Sequence, residues 1–279
     1  CSERSASSSR TKGQSKMDEL VSVVMPNYNS EKYIAETIRS VISQTYTNWE
    51  LLIVDDCSTD NSVEIIREIQ KKDDRIKLFV NESNRGAAYS RNVALREAKG
   101  KWVAFLDSDD IWIDEKLEKQ ISFMKGNGYL FSYTDYIRID EDSLDMNIRI
   151  TGPKKIGKRK MYRYCYIGCL TVMYDAEKIG LLQVEEKVGN GRNDYALWLK
   201  ACKKADCYLL KEVLAKYRIR KNSLSHRSMK KLIRYQYELF RYGERFGKLK
   251  AVFYTMRNLF YGFLKKLVYE KKEKTECNI

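Results

Sequence analysis

Acidic residues gather at Asp55-Asp56 and at Asp107-Ser108-Asp109-Asp110, and each group directly follows a short apolar run, Leu51 to Val54 and Trp102 to Leu106. Carboxylates crowded together repel one another unless a cation is present. Hard oxygen donors of this kind suit Mg²⁺ or Mn²⁺ and not a soft metal. Asp is also a common helix cap and turn former, a reading that suffices for Asp110 or Asp114 alone. For the Asp107 and Asp109 pair after an apolar run, a metal is the better reading.

Such acids need elements that bring them to one place. From Val21 onward short apolar runs alternate with helical periodicity: Val21 to Met25 then Tyr33 to Ile42, Leu51 to Val54 then Val63 to Ile69, Ile76 to Val80 then Ala87 to Ala98, Trp102 to Leu106 then Leu117 to Met124. This repetition predicts a mostly parallel α/β sheet with helices on both faces. Asn29-Ser30 and Ser58-Thr59-Asp60-Asn61 stand where helix caps are expected. Ligands of open α/β sheets bind beyond the carboxyl ends of strands, so both acidic groups border one crevice. Residues 140–160 mix charge, Gly and Pro and read as an exposed loop. Strands are expected near Leu170 to Met173 and Val213 to Arg218, a helix at Tyr195 to Lys204, and helix again from Met229.

Charge is divided unevenly along the chain. Residues 151–279 hold 31 basic and 12 acidic side chains, an excess of +19, whereas residues 1–150 are net −5. An anionic partner or solvated basic helices would each account for that. Nucleic acid is not favoured, since no recognised nucleic-acid motif accompanies the charge and the acidic half would repel phosphate. No apolar run reaches the length needed to span a bilayer, and residues 1–16 read as a leader without a secretion signal. The seven cysteines form no C-x-x-C pair and His226 is the single histidine, which argues against structural zinc and for reduced thiols in a cytoplasmic setting. No G-x-G-x-x-G follows the first strand, so a dinucleotide-binding dehydrogenase is not favoured.

Four segments, VSVVMPNYNSEKYIAETIRSVISQTY, ELLIVDDCSTDNS, NRGAAYSRNVAL and GKWVAFLDSDDIW, resemble in order and spacing the signature segments of the family 2 glycosyltransferases. The likeness continues more weakly through Asn193-Asp194-Tyr195-Ala196-Leu197-Trp198 and YRIRKNSLS at 217–225. It implies the GT-A fold, a Rossmann-like sheet flanked by helices. A catalytic domain over residues 17–228 would divide into a nucleotide-binding half to about 112 and an acceptor half beyond it, followed by a helical tail at 229–279.

The resemblance also implies roles. Pro26 and Tyr28 would lie against the base of a nucleotide-sugar donor and Asp55 would hydrogen-bond that base, usually uracil. Gly86 and Arg91 would shape the ribose and sugar-phosphate side, with Asp107 and Ser108 also in the nucleotide-sugar site. Asp109 would hold Mn²⁺ or Mg²⁺ bridging the diphosphate. Asp194 matches the family's catalytic base, although an N-cap for the following helix would use the same side chain. A single displacement with one base predicts inversion. Arg220 stands where the family often has His, and its guanidinium could pair with phosphate. Q-x-x-R-W, usual in processive synthases, is absent, which favours one sugar per encounter. A catalytically silent nucleotide-sugar-binding or membrane-docked protein is the alternative, and the presence together of Asp107, Asp109 and Asp194 argues against it.

In the tail, Leu249, Phe253, Met256, Phe260, Phe263 and Leu267 recur at helical spacing, with Lys248, Lys250, Arg257, Lys265 and Lys266 around them. This stripe either docks on an anionic membrane, where a lipid-linked saccharide or glycan acceptor is presented, packs on the catalytic domain, or joins two copies in a homodimer.

Overall fold

The computed structural model describes residues 19–186, 188, 191–220 and 229–272. The leader at 1–16, His226 and most of the YRIRKNSLS segment beyond Arg220 lie outside the described residues. The first half lays down β1 (Val21–Asn27), α1 (Ile34–Ile42), β2 (Trp49–Asp55), α2 (Ser62–Gln70), β3 (Ile76–Val80), α3 (Ala87–Glu97) and β4 (Trp102–Phe105). β1 pairs in parallel with β2 on one side and β4 on the other, and β2 with β3. Side chains alternate across the pleat. Val21, Val23, Met25, Leu51 and Ile53 therefore enter one core with Ile34, Ile38 and Val41 of α1. Val24, Leu52 and Val54 enter the other with Ala94 and Leu95 of α3.

Pro26 lies within β1, where it cannot donate to a ladder. The pairing with β4 stops at Val24 opposite Phe105, so the proline falls just past the end of that ladder. Because β4, β1 and β2 are parallel neighbours, their carboxyl ends share one edge, and that edge carries Asp107, Asn27 and Asp55.

The second half comprises β5 (Ile111–Trp112), α4 (Lys116–Asn127), β6 (Phe131–Ile139), β7 (Asp145–Ile150), β8 (Lys155–Ile156), α5 (Lys158–Met161), β9 (Met173–Asp175), α6 (Ala176–Ile179), α7 (Asn193–Ala201), β10 (Cys207–Arg218), α8 (Met229–Glu238), α9 (Lys248–Tyr269) and β11 (Glu270–Lys272). Among the described residues all strands join one 11-stranded sheet, whose main path runs β11-β7-β6-β9-β4-β1-β2-β3. It is parallel through β1 to β4 and mixed beyond, since β9 runs antiparallel to both β4 and β6.

Several expectations need correction. Residues 140–160 are not an exposed loop: β7 forms a hairpin with β6, β8 pairs with β10, and Ile150 and Ile156 are buried. Cys169–Thr171 is a 3₁₀ turn, and the strand there starts at Met173. β10 begins at Cys207, six residues before Val213, held by β6 and β8. α7 begins at Asn193 and not Tyr195. Neither Asn29-Ser30 nor the Ser58–Asn61 run caps through a side chain of the N-cap residue, although Asp60 Oδ1 accepts from the Ser62 amide at 3.0 Å.

The tail is not one helix. A π turn at Leu239–Gly243 follows α8 and buries Phe240, which stacks on Phe246. α9 then turns Ala251, Thr255 and Asn258 toward the protein body, where Asn258 donates to the Tyr195 hydroxyl and the Arg163 carbonyl, both at 3.0 Å. The apolar stripe faces the other way, each of its six side chains being 60 to 89% exposed. Packing of the stripe on the catalytic domain is thereby excluded. Lys265 does not flank the stripe in water; it lies half-buried above the Tyr164 ring.

Candidate active site

At the end of β2 the two adjacent acids do different work. Asp55 is buried and fully engaged: Asn27 Nδ2 and Ser58 Oγ donate to its Oδ1, both at 2.6 Å, and the Ser58 amide donates to Oδ2 at 2.8 Å. Asp56 accepts from Asn81 Nδ2 and the Arg85 amide, both at 2.9 Å, and from the Gly86 amide at 2.6 Å. It thus fixes the loop that leads into α3. Gly86 has φ of +87°, a conformation that disfavours side chains, and forms the N-cap of α3. Pro26 is buried, while Tyr28 is 47% exposed beside the edge and offers a free ring face.

The segment after β4 is tied down from several elements. Ser108 Oγ shares a hydrogen bond with Ser30 Oγ at 2.8 Å, and its carbonyl accepts from Thr37. Asp110 Oδ1 accepts from the Arg218 amide at 2.9 Å, while Oδ2 is buried without a partner. Burial, reinforced by Asp109 and Asp107, pushes the Asp110 carboxyl well above the usual carboxylate range. Burial also raises Asp109, and the charge of Arg220 works against the rise. The Arg220 guanidinium lies 2.7 Å from Asp109 Oδ2 and, like Arg218, sits over the Tyr33 ring.

Arg218, at the end of β10, is fully buried. Its Nε donates to the Asp109 carbonyl at 2.8 Å, Nη1 to Ser143 Oγ and the Asp140 carbonyl, and Nη2 to Glu36 at 2.6 Å. One side chain therefore joins the acidic segment, α1 and the β6–β7 turn.

Arg91 of α3 links the acidic segment to α7. Nη1 donates to Asn193 Oδ1 at 2.6 Å and Nη2 to the Asp107 carboxylate. Burial disfavours its charge, but Asp107 and Asp194 more than offset that and hold the guanidinium firmly protonated. Asp194 follows in the first turn of α7, half-buried, with Oδ1 accepting from the Tyr195 amide at 2.7 Å. The cap position is Arg192, so Asp194 is not the N-cap. Burial, with Asp107 adding to it, raises the nearby Cys169 thiol well above its ordinary range and keeps it neutral.

Of the expected residues, Arg91, Asp107, Asp109, Arg220 and Asp194 converge on one edge. Asp55 and Ser108 spend their polar atoms within the protein. Arg218 and Asn193 had no role in the sequence reading, and Asp56 entered it only as the second of the two acids after β2. Nothing in sequence separates Arg218 from neighbouring cations.

Among the described residues no group of three or more His, Cys, Asp or Glu side chains is placed to hold a metal ion by itself. Two carboxylates still fit a cation that keeps waters and takes its remaining ligands from a substrate diphosphate, as Mg²⁺ commonly does. Room for positive charge beside Asp109 is evident from the guanidinium that meets it.

The sequence pattern described as "Glycosyl transferase family 2" matches residues 22–174, more than half of the chain. The chain belongs to this family. A glycosyltransferase assigned to teichuronic acid biosynthesis, TuaG of Bacillus subtilis strain 168, is 42% identical over 212 residues, 76% of this chain and 83% of that protein. The Escherichia coli UDP-Glc:α-D-GlcNAc-diphosphoundecaprenol β-1,3-glucosyltransferase WfgD is 42% identical over 219 residues, 78% and 84% of the two chains. Among solved structures, residues 1–349 of Staphylococcus aureus TarS in complex with UDP superpose with a TM-score of 0.64 at 22% identity, covering 88% of this chain and 72% of that one. The mannosyltransferase PcManGT of Pyrobaculum calidifontis, in complex with GDP-Man and Mn²⁺, gives 0.61 at 18% identity over 85% and 68%. These superpositions show the GT-A fold. This family 2 member is a glycosyltransferase, and none of its described helices is long and apolar enough to cross a membrane.

Proposed function

We propose that the chain is an inverting enzyme that uses Mn²⁺ or Mg²⁺ to move one sugar from a UDP-sugar to a hydroxyl of a lipid-linked saccharide. The observation that carries this reading is the Arg91 bridge, which joins Asp107 of the acidic segment to Asn193, the neighbour of Asp194. The donor-diphosphate side and the candidate base are thereby locked to each other. The activity for which WfgD is named and the UDP bound by TarS support the donor and acceptor classes.

In this reading Tyr28 stacks on the base, Pro26 and Asp55 shape its pocket, and Gly86 lets the backbone approach the ribose side. Asp107 and Asp109 would hold the metal, which would supply Lewis-acid charge at the diphosphate. Arg220 leaves Asp109 and turns to the phosphate oxygens. Asp194 accepts the proton of the acceptor hydroxyl as that oxygen attacks the anomeric carbon from the face opposite the diphosphate. One base and one displacement invert the configuration.

A lipid-linked acceptor lies at a membrane surface, and the stripe on α9 is the proposed contact. Removing α9 is a poor test because its buried face completes the fold; Phe253→Glu with Phe260→Glu in the full chain is cleaner. The decisive assay of the enzymatic reading is nucleoside diphosphate release from a panel of nucleotide sugars with Mn²⁺. UDP release that requires an acceptor and stops in EDTA supports the reading. Undiminished release in excess EDTA removes the metal from it, and no release with any donor sinks it.

A further inference from the structure

Beside the exposed stripe lies a cavity of about 550 Å³ that the reaction above does not use. Five cations line it, Lys158, Arg159 and Arg163 from α5 and its following turn and Lys250 and Arg257 from α9. Tyr162, Phe246 and Tyr254 supply the rest of the wall. No acid lines it, and Glu244, which meets the Tyr162 hydroxyl, is neutralised by Lys203 at 2.8 Å. Arg257 donates through Nη2 to the Tyr162 carbonyl at 3.1 Å, but its Nε is buried without a partner. The Lys250 ammonium sits over the Phe246 ring at 4.2 Å, and no acid pairs with it among the described residues.

Helix geometry relates this cavity to the stripe. At about 100° per residue, Lys250, Tyr254 and Arg257 fall roughly 80 to 140° from the stripe's midline, on its flank. Ala251, Thr255 and Asn258 lie further round, on the face buried against the protein. An interfacial helix sinks its apolar face about 5 to 10 Å below the headgroups. A cavity on the flank of such a helix would then stand at headgroup depth.

We infer that this basic, aromatic-walled cavity binds the phosphate of an anionic phospholipid headgroup while the stripe enters the acyl boundary, so that the enzyme docks in one orientation. This deepens the membrane part of the reading above and rests on it. Charge complementarity selects the occupant. A second copy presenting the same face would bring five like charges opposite five. A polyanion without an apolar phase would leave the six stripe residues in water.

The test is vesicle binding by the full-length protein on phosphatidylglycerol-containing and phosphatidylcholine-only vesicles. Lys158→Glu with Lys250→Glu alters the cavity, and Lys230→Glu with Lys231→Glu on α8 makes the same charge change elsewhere. The cavity variant is expected to lose about 30-fold or more in affinity for anionic vesicles, on about 1 kcal/mol for each cation near the surface, and the α8 variant only a few-fold. Calorimetry with sn-glycerol 3-phosphate should show saturable binding in the wild type and the α8 variant and none in the cavity variant. Equal losses in both variants would reduce the effect to diffuse charge and overturn the inference. Inorganic phosphate filling the cavity while vesicle affinity ignores the cavity variant would make it a free-anion site and overturn it too. Dimerisation through the stripe, seen by sedimentation and lost in Phe253→Glu, would do the same. Arg159→Gln with Lys250→Gln serves if the first variant fails to fold. UDP release onto a water-soluble acceptor should be unchanged in the cavity variant, which separates failure of docking from failure of the enzymatic reading.

Discussion

The edge of the sheet and the face of α9 break the usual division between inside and outside in opposite directions. Around β4 and β10, charge is taken inside: Arg91, Arg218 and Asp110 are all at most 5% exposed. Along α9, six large apolar side chains stay in water. Charged groups are seldom fully buried unless paired, and contiguous exposed apolar patches mark interaction sites. The difference teaches where each ligand must come from. Buried charge arranged around an opening expects a small charged ligand that replaces internal partners, whereas an exposed apolar face expects a surface.

The largest way to break the comparison is at the base. Asp194→Asn keeps the shape of the side chain and its acceptance of the Tyr195 amide but cannot take a proton. Transfer should fall by about 10²- to 10⁴-fold while calorimetry still shows UDP binding. Near wild-type transfer would mean that another group is the base, and that the Arg91 link positions something other than the reacting pair.

Arg218→Met tests whether the buried charge on the sheet edge is structural, positional or both. The change strips donors from the Asp109 carbonyl, Ser143 and Glu36 at once. Hydrogen bonds to charged groups contribute about 1.5 to 3 kcal/mol, so a loss of about 2 to 3 kcal/mol in urea unfolding is expected. If Arg218 also sets the place of Asp109, Mn²⁺ affinity should weaken at temperatures where the variant remains folded. Unaltered metal affinity would confine Arg218 to a brace.

The same contrast marks what could be read from sequence. Apolar runs such as Leu51 to Val54 announce strands because every residue is buried on one face or the other, and the acids that end them stand out against that background. The stripe on α9 was equally visible, since Leu249, Phe253 and Met256 share a face on any helix. Sequence could not say which way that face points: orientation depends on Asn258 meeting Arg163 and Tyr195, 95 and 63 residues away in the chain. Arg218 was illegible for the same reason, being one cation among several until β10 brings it beneath Asp109. Residues 140–160 misled because polar strands at a sheet margin carry little apolar signal, and β7 buries only Ile150.

Lys116 sharpens the rule that pairing, not burial alone, keeps charge. It is fully buried, donates to Gln120 Oε1 at 2.8 Å and lies 4.1 Å from the Trp112 ring centre, with no acid partner among the described residues. Burial pulls its ammonium down from the ordinary lysine value of 10.5 to about 7. Folded protein therefore binds fewer protons at this site than unfolded protein between these values, and stability should rise with pH across that window. Buried thiols such as Cys165, pushed up to about 12 by burial, act in the opposite sense above the ordinary thiol value of 9.0. The clean interval is about pH 7 to 8.5, where Lys116 adds about 1 kcal/mol per pH unit. Urea midpoints should climb there in the wild type, with a clearly smaller slope in Lys116→Met. Equal slopes would show that water reaches the ammonium.

The smallest expected effect comes from the stripe. Phe260 is 61% exposed, and its edge-on contact within the helix is with Tyr261. Phe260→Ser removes a large side chain yet opens no cavity, so its cost in urea unfolding should stay within about 0.5 kcal/mol, the range of ordinary surface changes. Asn258→Leu, on the buried face of the same helix, leaves the Tyr195 hydroxyl and the Arg163 carbonyl short of a donor and should cost more, about 1 to 3 kcal/mol. A near-neutral Phe260→Ser that nevertheless loses vesicle binding would separate the two faces of α9 into one that holds the fold and one that seeks a membrane. A cost above about 2 kcal/mol would mean that the stripe is covered in solution, since only an apolar side chain buried against something loses that much on truncation.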